Sequence, residues 1–352
     1  MTKVPIRPSV EALPAYKAGA RPGGRLMHKL SSNELPYPPL PGVLAAVGEA
    51  AADLNRYPRM LADELADGIG LHHGVEAEQV VVAAGAVAVL GHALTAFVGE
   101  GDEVVYGWRS FEAYPILVGA AGAVATPVAL AAGGRLDLPA MADAITERTR
   151  AVLVCSPNNP TGPAIHRGEF AEFMAQVPDD VLVVADEAYV DFVTDPQAVR
   201  ADEILADHGN LISVRTFSKA YGLAGLRVGY ALGRPRLIQA IRSVTTPFSV
   251  SALAEAAAVY SLQMGEALAQ RVAGVVETRD FLVAGLTAEG WNIPDPQGNF
   301  VWLQLGVDAV PFSDACQRAG LLVRPFPGEG VRVSVGERLA AERLLEVAAT
   351  WA

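Results

Sequence analysis

Residues 211–233 run LISVRTFSKAYGLAGLRVGYALG. Two apolar stretches, LISVRTFS and LRVGYALG, flank a short polar link that carries Lys219. Neither stretch alternates apolar with polar residues, so each is expected to be a strand buried on both faces, as in a mainly parallel sheet covered by helices. The same pattern recurs upstream in QVVVAAG (79–85), DEVVYG (102–107), GAVATPVAL (122–130), RAVLVCSPN (150–158) and DVLVVADEAY (180–189). Helical patterns lie between these runs, among them VLAAVGEAAADL (43–54), AVAVLGHALTAFV (86–98), GEFAEFMAQV (168–177) and RPRLIQAIRSV (234–244). Strands interleaved with helices predict a large α/β domain.

A helical tract over about 251–288 follows, and beyond it NFVWLQLG, PFSDACQRAG, LLVRPF, VRVSVG and a terminal helix predict a smaller C-terminal α+β domain. Residues 1–34, rich in Pro, Arg and Gly, are expected to be an arm. The division is therefore an N-terminal arm over 1–34 that joins the small domain or a dimer interface, a large domain over 35–255 and a small domain over 256–352. With 352 residues, 51% hydrophobic and 19% charged, the chain has the composition of a packed globular protein. Its net charge of −12 argues against nucleic acid as a partner. No apolar run reaches membrane-spanning length, and the N-terminus lacks a signal-peptide core, so a soluble cytoplasmic protein is expected. Cys155 and Cys316 are far apart and no His-x-x-x-His pair occurs, which leaves a disulfide framework or a metal site without support.

Lys219 stands out because the other 26 basic residues are 23 arginines and the lysines at 3, 17 and 29. A chain that uses arginine wherever charge suffices implies a separate task for a lone lysine, and imine formation with a carbonyl needs an amine that can lose its proton. Other polar signals also fall at the carboxyl ends of expected strands, where open parallel sheets build ligand sites. They are Gly85 after QVVVAA, Asn159 in CSPNNPTG, and Asp186 and Tyr189 in VVADEAYVDF. Alone, Asp186 reads equally as a helix N-cap, NNPTG as a turn and Gly85 as an ordinary strand-to-helix link. Together they describe a site for a phosphorylated pyridine aldehyde. Lys219 meets the carbonyl and Asp186 the ring nitrogen, while Thr216, Ser218, Arg227 and the amides at Gly85 and Ala86 form a phosphate cup. The ligand of that description is pyridoxal 5′-phosphate.

The ordered motifs SSNELPYPPLP, NRYP, WRSFEAYP, SPNNPTG, DEAYVDF, TFSKAYGLAGLRVGY, GNFVWL, VRPF and VRVSVG span nearly the whole chain. In this set the sequence resembles fold-type I PLP-dependent aminotransferases, in the branch that holds histidinol-phosphate and aromatic-amino-acid (phenylalanine) aminotransferases. The resemblance implies that Lys219 carries the cofactor, Asp186 pairs with the pyridine nitrogen, and Asn159 and Tyr189 bind the ring oxygen. It gives Thr216, Ser218 and Arg227 to the phosphate, with Tyr57 reaching it from the other subunit of a homodimer, and stacks Phe111 on the ring. Arg332, Arg324 and Asn33 are the implied substrate contacts. Ala86 departs from the pattern, since relatives often place a polar residue there, and slightly weaker cofactor affinity is expected.

The implied reaction is transamination of aromatic amino acids with 2-oxoglutarate, Lys219 moving the proton as general base and acid. Leu35 and Tyr37, just beyond the arm in SSNELPYPPLP, are expected to offer an apolar surface to the substrate ring. Histidinol-phosphate transamination uses the same residues, a lyase of the same fold would break a different bond, and a cofactor-binding regulator would need a basic or partner module that the chain lacks.

Overall fold

The computed structural model describes residues 4–16 and 28–351. Lys3, Lys17 and residues 18–27 of the arm lie outside the described residues. The β-branched runs form strands β2 (Val80–Ala83), β3 (Glu103–Trp108), β4 (Val124–Ala129), β5 (Thr149–Cys155), β6 (Leu182–Asp186), β7 (Leu211–Thr216) and β8 (Gly229–Gly233), preceded by the short β1 (His28–Lys29). Seven of them build one sheet in the order β2-β8-β7-β6-β5-β3-β4. All neighbours are parallel except β8, which runs antiparallel to both β2 and β7.

Successive side chains of a strand point to opposite faces, and two separate cores result. Val82, Val152, Val154 and Val183 face one core, where Leu65, Ile69, Phe170 and Phe173 come from helices Asp63–His73 and Arg167–Met174. Val81, Leu153, Val184 and Ile212 face the other, with Val89 and Leu94 of helix Ala86–Phe97 and Ile238 and Ile241 of helix Pro235–Val244. Burial on both faces is why these strands are apolar throughout. The edge strand β4 is partly exposed along its length.

The C-terminal part holds β9 (Phe300–Gln304), β10 (Leu321–Leu322), β11 (Arg324–Phe326) and β12 (Gly330–Ser334). An antiparallel sheet has the order β11-β12-β9, while β10 pairs in parallel with β1. Helices Gly265–Ala288, Ala309–Arg318 and Arg338–Ala349 cover that sheet through Leu282, Leu286, Phe312 and Leu344. The expected helical tract over 251–288 is two helices, Ala252–Leu262 and Gly265–Ala288. The first packs Ala254, Ala257 and Ala258 on the large sheet's core, and the second leaves it for the small sheet. The buried guanidinium of Arg279 ties the parts together, donating to Phe192 O at 2.9 Å and Thr194 Oγ1 at 3.1 Å. Among the described residues no helix is long and apolar enough to cross a membrane, and no three His, Cys, Asp or Glu side chains cluster as a metal site.

Candidate active site

β5, β6 and β7 end side by side at Cys155, Asp186 and Thr216, where the apolar runs give way to polar residues. A cavity of about 340 Å³ opens there, and all three residues line it. Ala86, Phe111, Asn159, Tyr189, Ser218 and Lys219 also line it, as do Arg227, Arg324 and Arg332. Gly85, Asn33 and Tyr57 do not.

The Lys219 amine donates to Ser32 O at 3.2 Å and lies 5.5 Å from the centre of the Tyr189 ring. Burial pushes its pKa down to about 7, with Arg332 and then Arg227 adding repulsion against the opposing pull of Glu34 and Asp186. A lysine that sheds its proton near neutrality is a nucleophile and a proton carrier.

Asp186 is buried, and burial raises its carboxyl pKa above the usual range. Its hydrogen bonds come from neutral donors: the Tyr114 hydroxyl to Oδ2 at 2.7 Å and the Ala188 amide to Oδ1 at 3.3 Å. A buried carboxylate held by neutral donors beside a cavity is suited to a cationic atom of a ligand, such as a protonated ring nitrogen.

Arg227 (φ 59°), also in the cavity wall, donates from Nη1 to Ser218 Oγ at 3.2 Å and to Ala224 O at 3.1 Å. Helix Ala86–Phe97 starts beside it with no side chain capping its first amides, and Ala86 and Val87 line the cavity. Uncapped amides, the positive end of the helix and a guanidinium form an anion cradle. Gly85 stays outside the lining but is needed by the cradle, because its φ is 92° and a Cβ there would stand 2.3 Å from Arg227 Nη2.

Arg332 on β12 is buried and donates to Asn159 Oδ1 at 2.6 Å and Ser31 O at 2.8 Å, while its Nε has no partner. Asn33, expected at the substrate, is fully buried behind Tyr189 instead. Its side chain donates to Tyr189 Oη at 3.0 Å and accepts from Ser334 Oγ at 2.8 Å, so it orients the tyrosine. Arg324 is engaged with Glu112, Nη2 lying 2.8 Å from Oε2. Tyr57 is 85% exposed and rests on Phe248 at 5.0 Å between ring centres. The expected apolar surface from Leu35 and Tyr37 is not in the cavity wall. At Asn33 the backbone turns through φ 53°, and Leu35 packs beside Tyr189 and Phe192 in a separate cluster. Phe111, Phe326, Val87 and Leu90 supply apolar wall in its place.

Tyr114 was missed as an Asp186 partner, although it stands in the quoted WRSFEAYP; the two residues are 72 positions apart, so only the fold brings them together. Glu34 and Glu112 also line the cavity unforeseen, as does the buried, free Cys155.

The model of the family "Aminotransferase class I and II" matches residues 26–347. An aromatic amino acid aminotransferase from Streptomyces avermitilis is 48% identical over 98% of this chain and 97% of its own length. One from Thermobifida fusca is 48% identical over the same shares. Among solved structures, histidinol-phosphate aminotransferase from Sinorhizobium meliloti in complex with pyridoxal-5′-phosphate superposes with a TM-score of 0.88 at 26% identity, covering 99% of this chain and 98% of that one. A mutant Thermus thermophilus aspartate aminotransferase gives 0.83 at 25% identity, covering 98% and 99%.

Proposed function

The chain belongs to the class I and II aminotransferases and has their fold-type I architecture, and from that premise we propose that it transfers the amino group of aromatic amino acids, phenylalanine foremost, to 2-oxoglutarate with pyridoxal 5′-phosphate as carrier. The observation that carries the cofactor reading is the Lys219 amine, tuned to a pKa of about 7, in one cavity with the buried Asp186. The relatives named for aromatic amino acids and the wall of Phe111 and Phe326 support the substrate class.

The residues present fit the cofactor. Lys219 would hold its aldehyde carbon, Asp186 its ring nitrogen, Asn159 and Tyr189 its ring oxygen, and Phe111 one ring face. Arg227, Ser218, Thr216 and the first amides of helix Ala86–Phe97 would hold its phosphate. When bound, the cofactor supplies a carbonyl for the amino group and a ring that takes up the electron pair left at the substrate α-carbon. Arg332, with Asn159 fixing it, binds the substrate carboxylate and so sets which α-carbon bond faces Lys219. Lys219, its amine freed by the incoming one, takes the α-proton as general base and as general acid would give it up to the carbon that carried the aldehyde. Tyr114 holds Asp186 in place throughout. The working unit in this reading is a homodimer whose exposed Tyr57 reaches the phosphate in the second copy's site.

A donor panel assayed with 2-oxoglutarate tests the reading. Higher kcat/KM for phenylalanine, tyrosine and tryptophan than for histidinol phosphate is expected; the reverse ranking would move the assignment to histidinol-phosphate transamination on the same site.

A further inference from the structure

We propose that Glu112 is a specificity-determining residue: as a displaceable counter-ion of Arg324 it sets the balance between substrates that bring one negative charge to the cavity and those that bring two. The proposal rests on the aminotransferase reading above and concerns the substrate end of the same cavity.

Arg324 and Arg332 are directly opposite each other in the β11–β12 register. Directly opposed residues share a sheet face with Cβ atoms about 5 Å apart, and like charges in that relation repel. Glu112 comes from the other part of the molecule, at the loop after β3, and places both carboxylate oxygens against Arg324 Nη2, at 3.1 and 2.8 Å. The pair is shielded but open to the cavity, with side chains 12% (Arg324) and 29% (Glu112) exposed. Glu112 therefore neutralises one of two facing guanidinium groups. Arg324 and Glu112 act on Arg332 with opposite sign, the first lowering and the second raising its pKa.

The other cavity charges already have work elsewhere. Glu34 pairs with Lys29 at 2.6 Å, Asp186 is held by Tyr114, and Arg227 sits in the anion cradle. Arg332, bonded to the neutral acceptors Asn159 and Ser31 O, meets the substrate carboxylate. An aromatic amino acid needs that one cation, and its ring can lie by Phe111 and Phe326 while the Glu112–Arg324 pair stays closed. A second anionic group, the distal carboxylate of glutamate or 2-oxoglutarate, must take Arg324 from Glu112 and then tolerate the displaced carboxylate nearby. The enzyme thus binds dianions against a built-in handicap. That handicap suits a protein whose donor is a monoanion.

The test uses Glu112→Gln holoenzyme, which keeps the shape and removes the charge. The ratio of kcat/KM for glutamate to that for phenylalanine should rise about tenfold, mainly through KM. Calorimetric titration with the unreactive analogues glutarate and 3-phenylpropionate should show glutarate tightening by a similar factor and 3-phenylpropionate changing far less. Glu112→Asp should fall between the parent and the Gln variant. Glu329→Gln removes the partner of Arg109, a second ion pair joining the same two segments outside the cavity, and should leave the ratio as in the parent. The proposal is overturned if Glu112→Gln leaves the ratio unchanged, if both analogues weaken together as a loosened loop would cause, or if Glu329→Gln raises the ratio as much. Should the parent not turn over phenylalanine, the aromatic reading fails, while the analogue titrations still decide the role of Glu112.

Discussion

Lys219 is under two opposing demands: its amine must be buried to lose its proton, and burying it costs stability whenever it is charged. Its pKa in the folded chain is about 7 against an ordinary 10.5. The unfolded chain therefore binds the extra proton between those values, and stability rises with pH across that window. Below about pH 7 both states are protonated and the full penalty is present; above 10.5 it vanishes. Lys219→Met should accordingly melt at a higher temperature than the parent, both without cofactor, with a gain that is level below pH 7 and shrinks by pH 9.5. A gain independent of pH would mean that the amine is not desolvated. The same variant should lose transamination and the borohydride-stable link to cofactor. Tyr114 gives a second prediction at this scale. Tyr114→Phe keeps the ring but removes the donor that holds the Asp186 carboxyl down. A hydrogen bond to a charged group contributes about 1.5–3 kcal/mol, so the apparent Kd for pyridoxal phosphate should rise about tenfold or more, read by spectral titration. Lys219 was legible in the sequence because arginine fills almost every other basic position. The role of Tyr114 was not, because its meaning depends on a carboxylate brought over from another strand.

Helix Ala86–Phe97 and strand β8 meet so closely that two glycines divide the consequences between them. A Cβ at Gly229 would stand 2.2 Å from the Ala86 backbone nitrogen, and backbone there cannot yield without moving the helix. At Gly85 the clash is with the tip of Arg227, a side chain that can move, but only by leaving its bond to Ser218. Gly229→Ala should therefore show mainly as lost stability, about 3 kcal/mol or more by chemical denaturation. Gly85→Ala, carrying about 1–3 kcal/mol of backbone strain, should show disproportionately as lost cofactor retention. Equal effects on retention from both variants would count against the cradle. Strand positions were legible because burial on both faces leaves an apolar run whatever the strand direction. For the same reason the antiparallel course of β8 was not legible. The break at 263–264 also left no mark, as no proline stands there; it arises where one helix follows the large sheet and the next the small one. Pairing of β1 with β10 joins residues nearly 300 positions apart, beyond any local pattern.

At the scale of the whole molecule, the exposed aromatic Tyr57 and its neighbours need explaining. Tyr57 lies against Phe248, itself 43% exposed, with Met60 and Leu54 also open to solvent. Exposed apolar side chains around Tyr57, the residue the resemblance assigns to a shared site, are what the proposed homodimer would cover. The sequence suggested Tyr57 through the NRYP motif, yet a single chain does not place it at a phosphate, because in its own subunit it is largely exposed and outside the cavity wall. Complementation separates a shared site from a self-contained one. Tyr57→Phe subunits keep Lys219, and Lys219→Ala subunits keep Tyr57. In a mixed dimer, one of the two sites then combines an intact lysine from one copy with an intact tyrosine from the other. With random exchange about half the dimers are mixed, so about a quarter of the parent's sites should return, measured at limiting cofactor where the Tyr57→Phe dimer retains it poorly. Activity no greater than the sum of the separate variants, or a fully active monomer in sedimentation, would show that each chain completes its own site.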